Sequence, residues 1–183
     1  MKTLIISLFF FQFLFAGSVF AHEAELAHEE PEILLEAIVE AETVTTSDLG
    51  VPDPGTLPTS PFYFFKEWGR GIQRLFTFNS IAKAELELRI SNEKAAEAKK
   101  IEETKPDDTN AIRRALENYE KAHERLQARL ESLKETSQNP NVDRLLEHLA
   151  EKTVQHEKLF EELEEKHESA KSIIQNIRAK IAQ

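Results

Sequence analysis

The 183-residue chain has no cysteine, one methionine, one tryptophan and only five glycines. Without cysteine there is no disulfide, no thiolate metal site, no cysteine nucleophile and no lipid-bearing cysteine. Basic residues are also in short supply, 23 Lys+Arg against 33 Asp+Glu, for a net charge of −10. Sequence-independent binding to nucleic acid needs surplus cations to displace condensed counterions, so no nucleic-acid partner is expected. No glycine cluster opens a helix behind a strand, which removes a phosphate-cradling loop, and no His-Glu-x-x-His pair or nucleophile elbow occurs. The expectation is therefore no catalytic residue, no cofactor and no metal site, in a protein that is not an enzyme. Charge is what the chain has in plenty: 31% charged against 40% hydrophobic residues suits one ordinary folded domain.

Residues 1–21 have the layout of a secretory signal peptide. Lys2 supplies a positive charge, Leu4 to Phe15 form an apolar run, and Val19-Phe20-Ala21 offers a cleavage site. The alternative is an uncleaved anchor, although a spanning helix wants about 20 apolar residues. Removal leaves 22 basic against 33 acidic residues in a chain beginning at His22. An exported protein, periplasmic or extracellular, is the expectation. Residues 22–43 read as an acidic segment in which Ile33, Leu34, Ala37, Ile38 and Ala41 share one face of a short amphipathic helix. Residues 44–60 carry Pro52, Pro54, Pro58, Gly50 and Gly55 and read as an extended linker. Residues 61–183 form the helical domain.

That domain opens on seven aromatic residues between Pro61 and Phe78. Ser60 as N-cap with Pro61 behind it predicts a helix start there. Phe65, Trp68, Ile72, Leu75 and Phe76 then share a face. From Gly71 onward the chain has no further glycine, and Pro106 and Pro140 are its only helix breakers. They divide the remainder into three long helices. The first is capped by Asn79 or Ser80 and runs to about Glu103; the second runs from about Pro106 to Thr136; the third starts with Asn139 and Pro140 and continues to the C-terminus. The fold class is all-α: a short aromatic helix followed by three long antiparallel helices, an up-down-up bundle with a coiled-coil-like hairpin.

The hairpin has a register. Bulky residues recur at spacings of four and three from Ile112 to Leu133, and again from Val142 through His156, Phe160 and Leu163 to Ile181. Such a 3.5-residue period predicts left-handed supercoiled packing. Folding back at Gln138-Asn139 matches Leu133 with Val142, Leu130 with Leu146, Leu126 with Leu149, His123 with Thr153, Tyr119 with His156, Leu116 with Phe160 and Ile112 with Leu163. Beyond Leu163 the third helix outruns the second by about 30 Å at 1.5 Å per residue. His167, Ala170, Ile173, Ile174, Ile177 and Ile181 then need cover, from the Ile33–Ala41 stretch, the aromatic segment or a second copy.

His123, His156 and His167 occupy stripe positions and His148 faces outward. As polar layers they fix the pairing register; as ligands they are poorly placed, because His156 and His167 lie about 16 Å apart along a helix. The aromatic segment is either a cap on the bundle or, through Phe65, Trp68, Ile72 and Phe76, a contact with a membrane interface or a partner groove. Those four residues and Ile173, Ile174, Ile177 and Ile181 are the candidate interaction surface. A protein partner, a homodimer or a peripheral membrane contact would use it.

Ser60-Pro61-Phe62-Tyr63-Phe64-Phe65, then Phe76-Thr77-Phe78, then Ala82-Lys83-Ala84-Glu85-Leu86 resemble the opening of a family of secreted prokaryotic domains of unknown function. The likeness spans about Leu57 to Glu165, with Asn79-Ser80 standing where the family has Asp-Pro. It implies export and an all-helical fold, and no activity. The functional expectation is an exported interaction or scaffold protein of the cell envelope. The alternative is a periplasmic sensing or chaperone-like binding protein that uses its histidines or an exposed apolar stripe.

Overall fold

The computed structural model describes residues 43–133 and 139–182. The expected leader (1–21), the acidic segment with its amphipathic stretch up to residue 42, and the turn at residues 134–138 lie outside the described residues. Within them, all regular structure is helical: α1 Tyr63–Phe76, α2 Ser80–Thr104, α3 Thr109–Glu131, α4 Pro140–Lys166, a 3-10 turn at Glu168–Ala170, and α5 Lys171–Ile181.

The three long helices begin where their caps place them. Asn79 accepts from the Ile81 and Ala82 amides at 2.9 and 3.1 Å, Asp108 from Ala111 at 2.9 Å, and Asn139 from Asn141 at 3.0 Å. Each bond satisfies a donor that the first helical turn leaves open. The aromatic helix departs from expectation. It starts at Tyr63 behind Phe62, and Ser60 accepts from the Phe62 amide at 3.2 Å instead of capping the helix. Helix α3 closes at Glu131, short of the expected end near Thr136.

Helices α2, α3 and α4 run up, down and up. The α2/α3 pair is the closest, because Ala84, Ala95, Ala98, Ala111, Ala115 and Ala122 are buried and let the backbones approach. The α3/α4 register holds at its centre: the Tyr119 hydroxyl hydrogen-bonds His156 Nδ1 at 2.9 Å, and the Tyr119 and Phe160 ring centroids lie 4.5 Å apart. Ile112, Leu116, Phe160 and Leu163 join one core, while Leu126, Leu133 and Leu145 form a second near the turn. One predicted layer fails there. Leu146 is largely exposed and Leu145 takes its place.

The last helix does not run straight to the C-terminus as the periodicity suggested. At His167 the backbone leaves the helical region (φ −127°, ψ 76°), and α5 returns along α4 beside α3. This reversal covers the stripe that a straight helix would have left bare, burying Ile174, Ile177 and Ile181 and half-burying Ile173. Of the covers considered from sequence, the aromatic segment is not the one used, and the Ile33–Ala41 stretch lies outside the described residues. Arg178 pairs with Glu157 and Glu164 (3.0 and 2.7 Å), and Lys180 reaches Glu120 and Glu124 (2.6 Å each), which fixes α5 against both neighbours.

The expected linker is also part of the packing. Val44 and Leu49 are buried in the main core, the Val44 amide donates to Glu162 at 2.6 Å, and Lys152 donates to the Asp48 carbonyl at 3.0 Å. Gly50, at φ +77°, makes the turn that lets this strap continue, with the Lys152 side chain 3.4 Å from where a Cβ would sit.

Candidate functional site

Helix α1 lies on α2 with its polar side inward. Arg70 donates to Glu93 at 2.5 Å and to Glu97 at 3.0 Å, and Lys66 pairs with Glu97 at 2.7 Å. One turn on, Arg74 binds both oxygens of Glu87 at 2.7 and 3.1 Å, and Glu87 also meets Arg125 of α3 at 3.4 Å. At the helix start, Tyr63 and Glu67 hydrogen-bond Lys94, and Tyr63 also donates to Glu97. Glu97, Lys94, Glu87 and Arg70 are all buried. A one-turn spacing of cations on α1 thus meets a matching row of carboxylates on α2. That row is why α1 presents this side: α2 offers it charge.

The electrostatics follow from burial and pairing. Burial works against ionising Glu67, but the Lys94 hydrogen bond and the Lys94 and Arg70 charges outweigh it and hold the carboxyl at about 2. Burial dominates at Lys94 and pulls its ammonium below the ordinary range against the attraction of Glu97. Burial and then Glu97 push the Tyr63 phenol up. The cluster is a fully engaged set of ion pairs, and its charges are spent on holding the helix.

The opposite side of α1 faces out. Phe65, Trp68 and Phe76 are 57, 68 and 74% exposed, and Phe62, Phe64, Leu75 and Phe78 are exposed with them, while Ile72 lies at the edge of this surface. A cap of aromatic rings over the bundle, one of the two sequence readings, is not what forms. The expected surface therefore splits in two. Phe65, Trp68, Ile72 and Phe76 come together on α1, whereas Ile174, Ile177 and Ile181 are core residues and Ile173 packs against that core.

The histidines separate likewise. His123 and His156 are buried between helices, His167 ends α4, and His148 is exposed. Burial, then the charges of His123 and Lys152, lower His156 to about 3, so it stays neutral. Among the described residues no three His, Asp or Glu side chains converge as a metal site requires.

Sequence reasoning found the rings of α1 but missed Glu87, Lys94 and Glu97 as buried residues. The available signal was the spacing of Lys66, Arg70 and Arg74 at four-residue intervals, which marks a cationic side as regular as the aromatic one.

A family model described as a domain of unknown function (DUF5667) matches residues 55–183, and the chain belongs to that family. No curated protein and no solved structure matches it. The match takes in α1 through α5 together with the end of the strap.

Proposed function

We propose that this member of a family of unknown function is an exported, non-enzymatic contact protein of the cell envelope whose binding surface is the outer side of α1. The observation that carries the reading is the inverted helix: ion pairs hold α1 from within and leave Phe65, Trp68 and Phe76 in solvent. A contiguous apolar patch of large rings is the composition of an association site. Helices that lie on membranes keep free cations beside their apolar face for anionic lipid. Here Lys66, Arg70 and Arg74 are all paired with carboxylates, in a chain of net charge −10. A protein surface suits the patch better than a lipid one. A second copy of the chain is the partner that supplies the same rings, in a two-fold arrangement. Sedimentation velocity tests this: the wild type is expected to dimerise with rising concentration and a Trp68→Ser/Phe76→Ser variant to remain monomeric. Equal behaviour of the two, or flotation of the wild type with liposomes in its place, would overturn the reading.

A further inference from the structure

The groove between α2 and α4 is closed by the strap at one end and open at the other. The open part is a cleft of about 780 Å³ beside Gly50 and Val51 of the strap and the end of α1. That volume falls in the range of small-molecule sites, roughly 300–1,000 Å³. Arg144, His148 and Lys152 stand at four-residue intervals along the α4 wall, and Arg89 stands on the α2 wall. Glu85 is the only carboxylate among the lining residues. This is a local reversal of sign on an acidic molecule.

Two further observations distinguish the cleft from an ordinary surface groove. Neither Arg89 nor Arg144 has a carboxylate within ion-pair distance among the described residues; Arg89 donates to Gln73 at 3.3 Å and Arg144 to its own-helix neighbour Asn141. Asn92 lines the same cleft, is 6% exposed and has no hydrogen-bond partner for its side-chain oxygen. That oxygen only accepts, so it is answered by an O–H donor such as the one a singly protonated phosphate head carries. The remaining walls are apolar: Leu88 and Leu145 are buried beneath, and Phe76 and Val51 stand at the edges.

We infer that this cleft binds a single-chain anionic amphiphile, its acidic head held by Arg89 and Arg144 and its hydrocarbon chain laid along Phe76 and Val51. The guanidinium forks match a carboxylate or a phosphate in two-point geometry. The hydrocarbon chain against Phe76 and Val51 supplies the remainder, about 25 cal/mol for each Å² removed from water. The site is separate from the outer face of α1 except at Phe76, so it stands without the association proposed above.

Calorimetric titration of the full chain below the micelle threshold, with dodecanoate, dodecyl phosphate and dodecanol, tests it. One site is expected for an anionic probe, with dodecanol at least tenfold weaker. An Arg89→Gln/Arg144→Gln double variant, both positions exposed and safe for folding, is expected to lose at least tenfold in affinity, and Trp68→Ser none. Tighter binding of dodecanoate assigns a carboxylate head, and of dodecyl phosphate a phosphate head; either supports the site. No binding by either anion, equal binding of dodecanol, an unchanged double variant, or loss of binding in Trp68→Ser would each overturn it.

Discussion

The α1/α2 contact and the α3/α4/α5 core are built on opposite plans. In the core, Phe160, Leu163, Ile174 and Ile177 meet inside, and the Arg178 and Lys180 ion pairs stand at the rim. At α1 the charges are inside and the rings outside. The core gains from removing apolar surface from water, a force without direction that tolerates the returning α5. The α1 contact gains from matched charges, which demand geometry and repay desolvation only when every member is paired. One region is therefore robust to small changes. The other depends on each partner.

The comparison breaks most sharply at one residue in each region. Glu97→Ala leaves Lys66, Arg70 and Lys94 short of a buried partner and is expected to cost about 3–5 kcal/mol. Phe160→Ala is expected to cost about 3–5 kcal/mol through a cavity. Equal in size, they differ in place: hydrogen exchange should rise chiefly in α1 for the first and throughout the helices for the second. Uniform exchange in both variants would show that the two regions unfold as one.

Acid separates the regions by window. The folded chain keeps His156 neutral down to about 3, whereas the unfolded chain protonates it near 6.5. Below 6.5 protons therefore favour unfolding, and the stability contributed by neutral His156 drains as pH falls toward 3. His123, lowered chiefly by burial, acts in the same direction. Glu67 has the sign of an ordinary paired carboxylate: held at about 2 against 4.5, its contribution is complete above 4.5 and is lost below that. Denaturant melts should lose on the order of 1–3 kcal/mol between pH 6.5 and 4.5 through the core histidines, with α1 still docked. A His156→Gln variant should flatten that slope, and an unchanged slope would remove His156 as its source.

Smaller effects sharpen the contrast. Tyr119→Phe takes the partner from His156 Nδ1 and is expected to cost about 1–3 kcal/mol in urea melts. Trp68→Ser, on the exposed side of α1, is expected to change stability by less than about 0.5 kcal/mol while weakening association. A stability loss there as large as that of Tyr119→Phe would place Trp68 within the folding core.

Much of the fold could be read along the chain because its signals are local. Asn79, Asp108, Asn139 and Pro140 punctuate the helices, and the alternating spacing around Tyr119 and His156 sets which layers meet. The aromatic members of the proposed binding surface were legible for the same reason. The isoleucines were assigned to it because nothing in the run from Phe160 to Ile181 marks a break: no glycine or proline stands at His167. The cleft could not be read at all, since Arg89 and Arg144 are 55 positions apart and line one cleft only through the packing of helices.

What the sequence decided by itself is the three long helices, their starts and the meeting of α3 with α4 around Tyr119 and His156, because caps and periodicity act over a few residues. Tertiary structure alone decided that α5 turns back and that α1 shows its rings to solvent. Both are choices between surfaces. A stripe of isoleucine folds wherever apolar cover lies within reach, and an amphipathic helix presents whichever side its neighbour can satisfy. For α1 that neighbour is a row of glutamates.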